Sequence, residues 1–211
     1  MQHISSLLTS GLILSCGITA VGCGMLSTKN KGKKASENDQ RLIGEWLDTC
    51  NKMDWLGFAY QQQTLRFSAL GDFDRDVTLF KDSSCANPIG KLSEHGTYAS
   101  LGNSSNAPDA KDINFTVTEV TMSAETDDAI SLLNSASYCG ISDWKKGNPT
   151  DILGKSCTGM TRTKGDVVFD IYRVDTNGKR LINGKGSLFL DKTDMRSRPS
   201  SLDENRAFRK Q

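Results

Sequence analysis

Six cysteines and two histidines are the most reactive side chains of this 211-residue chain. The cysteines are Cys16, Cys23, Cys50, Cys85, Cys139 and Cys157. No two of them have the Cys-x-x-Cys spacing of a zinc or redox site, and His95 is the one histidine beyond His3, so no metal site is expected. His95 follows Glu94, and a His–carboxylate pair can serve a general base. No Gly-x-Ser-x-Gly elbow or comparable nucleophile accompanies the pair, and a surface histidine is the plainer reading. Asp72, Asp74 and Asp76 alternate like the first ligands of a calcium loop. Val77 stands where that loop needs Gly, Ser83 where it needs a bidentate Glu, and Arg75 puts a cation between the acids. A solvated turn is expected there instead. The glycines are scattered and form no phosphate-binding loop. Asn103-Ser104-Ser105 and Asn114-Phe115-Thr116 fit the glycosylation pattern, which matters only in a eukaryotic host. No catalytic residue, metal ligand or cofactor is assigned from these residues.

Composition narrows the class. Hydrophobic residues are 36% and charged residues 24%, with 26 Lys+Arg against 25 Asp+Glu. Eight Phe, four Tyr and three Trp supply material for a core, which disordered chains lack. A net charge of +1 gives no global attraction to nucleic acid, and no nucleic-acid partner is expected. The length suits one domain with tails.

The N-terminus has the character of an address. Residues 1–22 contain no Asp, Glu, Lys or Arg, and the apolar run from Ile4 to Val21 is short for a bilayer span but suits a secretion signal. Ala20-Val21-Gly22-Cys23 resembles the lipobox of bacterial lipoproteins, in which the cysteine is acylated and becomes the mature N-terminus. Ala20 stands where the family has Leu, and only His3 replaces its basic start. A rival box, Ile13-Leu14-Ser15-Cys16, carries a bulky Leu14 and leaves a very short apolar run. Lipidation at Cys23 leaves four cysteines, two pairs; lipidation at Cys16 leaves one unpaired. Cys23 is therefore the expected lipid anchor, after a signal peptide at 1–22. Residues 23–41, with Lys29, Lys31, Lys33 and Lys34, are expected to be a polar linker. Export places Cys50, Cys85, Cys139 and Cys157 in an oxidising compartment. Cys50–Cys85 and Cys139–Cys157 is the simplest of the three connectivities.

The elements between 42 and 191 are short and mostly strands. Gly44–Cys50 alternates around Trp46. Leu65, Phe67 and Ala69 share one face, as do Val77 and Leu79 across a turn expected at Gly71–Arg75. Lys91–Ser100 and Ile113–Met122 extend the series. The apolar face of the latter switches near Thr118, where a bulge is expected. Thr126 caps the best helix candidate, 126–134. Tyr138–Thr163 has a loop composition. Val167–Val174, the Asn177-Gly178 turn and Arg180–Leu190 give a hairpin. Residues 192–211 are charged and are expected to lie along the surface as a tail. Trp55, Trp144, Phe58 and Tyr60 fall in or beside loops, where they either plug barrel ends or line a contact.

Gly44, Glu45 and Trp46 at the start of an antiparallel meander resemble the opening of the lipocalin, or calycin-type, barrels. The resemblance covers residues 42 to about 190. Trp46, Cys50, Asp82, Cys85, Gly96 and Tyr98 likewise resemble the layout of lipocalin-like bacterial lipoproteins. It implies an all-β fold, an antiparallel meander closed into a barrel, with one short helix and a loop-rich insertion. It also implies that Trp46 plugs one barrel end beneath a late arginine, Arg196 or Arg198. The helix precedes the last strands rather than following them, which departs from the family.

The function expected from this reading is that of an exported, membrane-anchored lipoprotein of the bacterial envelope, on its periplasmic or outer-membrane face. Its role is binding or envelope-structural. One form holds a small apolar ligand in the barrel. The other is an interaction scaffold with a filled barrel that contacts an envelope protein through its loops. An enzyme is the third and least favoured class. Barrel volume discriminates the first two forms.

Overall fold

The computed structural model describes residues 38–158, 160–186 and 192–211. Ten strands form one sheet: β1 (Gly44–Leu47), β2 (Asn51–Trp55), β3 (Phe58–Phe67), β4 (Asp72–Phe80), β5 (Pro88–Asn103), β6 (Lys111–Ala124), β7 (Thr150–Asp151), β8 (Val167–Val174), β9 (Arg180–Gly184) and β10 (Leu202–Lys210). The order is β1-β10-β9-β8-β6-β5-β4-β3-β2, and β1 also pairs with β3. That pairing closes eight strands into an antiparallel meander barrel, with β2 and β7 as additions. Closure of this kind removes the exposed edges that an open sheet would offer.

Alternation explains which face goes in. In β3, Leu65 and Phe67 are buried while Thr64 and Arg66 are not; in β6, Ile113, Phe115 and Val117 are buried. Phe67, Phe73, Phe115 and Tyr98 pack edge to face or tilted in the apolar half of the interior. The bulge falls on Thr118. His95 pairs with Glu119 and Gly96 with Val117, so Thr118 is the extra residue, and its hydroxyl donates to the His95 carbonyl at 3.1 Å. Gly96 is what allows the bend: a Cβ there would lie 2.0 Å from the Thr116 carbonyl oxygen.

The bulge also marks a change of partner. β8 pairs with Lys111–Thr116, whereas β7 pairs with Thr121 and Met122. The chain between β6 and β8 therefore runs back along the half of β6 that β8 leaves open. Its helix α1 (Asp127–Ser135) is capped by the Thr126 hydroxyl, which accepts from the Ala129 N–H, and it buries Ala129 and Leu133.

Three expectations are corrected. The turn after β3 lies at Ser68–Gly71, so Ala69 is exposed and Asp72–Arg75 belong to β4. Residues 192–211 are not a surface tail throughout, because β10 pairs with β9 and β1 and completes the barrel. The region 138–163 is not a peripheral loop: Tyr138, Trp144, Ile152 and Met160 are buried in the same core as the barrel interior.

Candidate functional site

The two barrel ends are built differently. Trp46 is fully buried, and its indole N–H donates to the Leu42 carbonyl at 2.6 Å. The cation over its ring is Lys210, with Nζ 5.2 Å from the centroid. Neither arginine named from the resemblance occupies that position. Arg196 is exposed and pairs with Asp194. Arg198 lies against Phe169 and donates to the carbonyls of Ile113 and Asp170, bracing β6 to β8. The last linker residues, 38–41, strap this end. Asn38 accepts from the Ser100 N–H at 3.1 Å. Asp39 accepts from Arg41 at 2.6 Å and Lys111 at 2.9 Å, and the Tyr172 hydroxyl approaches it at 3.3 Å. The Arg41 hydrogen bond, with Lys111 behind it and burial opposing, keeps the Asp39 carboxyl well below the usual range.

The other end carries both disulfides. Cys50–Cys85 ties the β1–β2 link to the β4–β5 loop, and Cys139–Cys157 closes the insertion on itself. Trp55 stacks near Phe58, with Tyr138 at its edge and Trp144 beyond Tyr138. Burial pushes the Tyr138 hydroxyl up. Trp144 is 3% exposed, and its backbone N–H donates to Asn134 at the end of α1. These aromatics fill the end of the barrel beside the insertion.

Between the ends lies a charged cavity. Its lining includes Gln63, Arg75, Arg162, Asp170, Lys192 and Arg206, and its volume is about 50 Å³. Arg75 donates to Glu94 at 2.7 Å, both side chains buried, with its guanidinium 5.0 Å from the Phe115 centroid. Arg162, from the returning stretch of the insertion, brings Nε to 3.5 Å from the other Glu94 oxygen. Lys192 lies 3.3 Å from Asp170. Arg206 donates to Asp48 at 2.7 Å, and the Gln63 N–H donates to the same carboxylate at 2.6 Å. Burial pushes the Asp48 carboxyl up, against the pull of Arg206. Buried charge of this kind is tolerated only when paired.

The sequence reading missed this cluster, although the signal was present. Counting back by twos from Leu79 and Val77 places Arg75 inward. The same parity from Leu92 places Glu94 inward, and from Val168 and Tyr172 it places Asp170 inward.

The candidates singled out from sequence fall elsewhere. His95 and Glu94 are neighbours on β5 but face opposite sides. The His95 ring is exposed and pairs with Asp74 at 2.7 Å across the strands. Asp76 faces outward with Arg66, Lys91 and Ser93, so the three acids form a ladder on a strand and not a calcium loop. Among the described residues no group of three His, Cys, Asp or Glu is placed to hold a metal ion. Cys16, Cys23 and Lys29 to Lys34 lie outside the described residues. No protein-family model matches this chain, and no curated protein is significantly similar to it.

Proposed function

We propose that this chain is an exported, lipid-anchored protein of the bacterial envelope whose filled, lipocalin-like barrel is a scaffold for contact with an envelope protein. The interior carries the argument. Pockets that take small apolar ligands are about 300–1,000 Å³ and largely apolar. The barrel cavity is about 50 Å³ and is lined by paired charges. An acyl chain entering it would have to desolvate those charges without replacing their hydrogen bonds. Aromatic side chains occupy the remaining interior, and the insertion fills the end opposite Trp46. What remains for contact is the outside: the loops, the strap and the charged outer strand faces.

Export is supported by the two disulfides, which suit an oxidising compartment. Anchoring is supported by Ala20-Val21-Gly22-Cys23. Kinship with the lipocalin-like lipoproteins is supported by Trp46, buried beneath a late cation. Two measurements test the reading. Wild-type protein fractionates with membranes, Cys23→Ala is released and Cys16→Ala is not; a soluble wild type overturns the anchor. A fluorescent fatty-acid probe finds no saturable site in the purified protein; stoichiometric binding that Trp46→Ala or Arg75→Leu abolishes overturns the filled scaffold.

A further inference from the structure

We propose that the Trp46 end of the barrel rests on an anionic lipid surface, with Arg180 and Arg209 on headgroup phosphates and Leu70 entering the interface. The inference rests on the lipid-anchored reading, which brings the barrel to a membrane; what it adds is the face presented there. Arg180 on β9 and Arg209 on β10 stand directly opposite each other in the antiparallel register, and both are exposed. Like charges so placed repel and are destabilising. Neither guanidinium has an ion-pair partner among the described residues. Lys179 and Lys210 flank the pair in one surface concavity, which Asp175 and Gln211 also line. The Asp175 carboxylate already accepts from the backbone N–H groups of Lys179 and Arg180, at 2.8 and 3.1 Å. Even with a carboxylate at Gln211 set beside Asp175, the four cations keep a surplus of two. A phosphate between two guanidinium groups removes their repulsion and matches their paired N–H donors.

The same end carries apolar tips. Among the described residues three large hydrophobic side chains are exposed, and two of them lie here. Leu70, 92% exposed, is in the β3–β4 turn, and Leu101 is near the end of β5. That turn sits beside the strap: Asn38 lies against Gly71, whose carbonyl accepts from the Tyr98 N–H at 2.7 Å. Apolar side chains among cations suit an anionic bilayer interface, where buried apolar area and charge attraction add. The insertion end instead exposes Asp127, Asp128, Asp143 and Asp151. Connectivity agrees with chemistry. The strap enters at the cationic rim, where Lys210 donates to the Arg41 carbonyl at 3.3 Å and Arg41 to the Val174 carbonyl at 3.5 Å. Asn38 follows Cys23 by fifteen residues, a span of at most about 50 Å. A lipid on Cys23 therefore keeps this end within reach of the bilayer.

The test uses the acylated, disulfide-intact chain in phosphatidylcholine bilayer discs carrying a headgroup spin label, with and without phosphatidylglycerol as about a third of the lipid. In the anionic discs the label broadens the Arg180 and Arg209 Nε–H resonances and the Leu70 methyls. Added salt reverses the broadening, because these charges are exposed. It is weaker in neutral discs, and the Trp144 indole N–H stays sharp in both. The double variant Arg180→Gln, Arg209→Gln alters only exposed side chains. It lowers the docked-to-undocked ratio, read at Leu70, by about 30-fold, roughly five-fold per surface charge. Lys145→Gln, in the insertion, leaves the ratio unchanged. Protein that associates with neither disc fails the anchored reading, and this proposal with it. Protein held by the anionic discs with sharp Arg180, Arg209 and Leu70 signals overturns the proposal alone. So does broadening at Trp144 instead, equal broadening in neutral discs, or a double variant that keeps the wild-type ratio.

Discussion

The two ends of the barrel do the same job by different means. The Trp46 end is closed by non-covalent contacts: a buried indole, a lysine over its face and a four-residue strap pinned through Asp39. The opposite end is closed by an insertion and two disulfides. The difference follows from chain geometry. At the Trp46 end the strands are joined by connections without an inserted helix, and the residues adjacent to β1 pack over the core. At the other end β6 loses β8 as partner beyond the bulge at Thr118, so a long excursion must pair with it and return. The excursion shares the barrel's core but runs through residues 138–163 with little regular structure, and the Cys139–Cys157 bond closes it on itself.

The sharpest test of this comparison is a pair of tryptophan truncations. Trp46 and Trp144 are both buried, one at each end. Each change to Ala should cost about 3–5 kcal/mol, a large part of a typical domain's stability. The sequence alone ranks Trp144 far below Trp46, because it sits in a stretch rich in Gly and Pro. Chemical denaturation of both variants decides. A loss below about 1 kcal/mol for Trp144→Ala, within the range of an ordinary surface substitution, would mean that the insertion end carries little of the core.

What was legible in the sequence was local or periodic in apolar residues. Thr126 with acids behind it marks the start of α1, and the face switch near Thr118 marks the bulge. Leu65/Phe67 and Ile113/Phe115/Val117 mark their strands. What was not legible is the polar interior. β10 reads Leu202-Asp203-Glu204-Asn205-Arg206-Ala207-Phe208-Arg209-Lys210, and Arg206 occupies a position where alternation expects an apolar residue. A strand that buries a charge looks like a charged tail, and only its partner Asp48, on the far side of the sequence, explains it. Arg75 hid the start of β4 in the same way. The burial of Trp144 depends on the insertion folding back onto the core, a long-range event with no local signature.

The disulfides sharpen the comparison next. In the chain-entropy account, removing Cys139–Cys157 costs about 3 kcal/mol and removing Cys50–Cys85 about 4 kcal/mol. Both staples belong to the insertion end, so reduction should loosen that end alone. In hydrogen exchange, amides of α1 and of residues 144–160 should lose protection on reduction. The Trp46 indole N–H, bonded to Leu42, should keep it. Equal loss at both ends would show that the barrel responds as one unit and that the two closures are not separable.

The smallest expected effect belongs to Asp39 and has a defined pH window. Its carboxyl is held below the ordinary value of 3.8 by Arg41, with Lys111 adding and burial opposing. A depressed folded pKa means that the unfolded chain binds the proton more readily. The stabilisation is then complete above the unfolded value and disappears as pH falls through the folded one. Asp39→Asn removes the charge at every pH and leaves Arg41 and Lys111 facing an amide, at a cost of about 2 kcal/mol. The stability difference between wild type and Asp39→Asn should therefore be constant from pH 7 to about 5 and shrink below about 4. Tyr172, which burial pushes upward, stays neutral throughout that window and does not alter the sign. Thermal unfolding of both proteins across the series measures the difference. A gap that widens on acidification would show that Asp39 is not the charge that pins the strap, and the non-covalent closure would then rest on Trp46 and Lys210 alone.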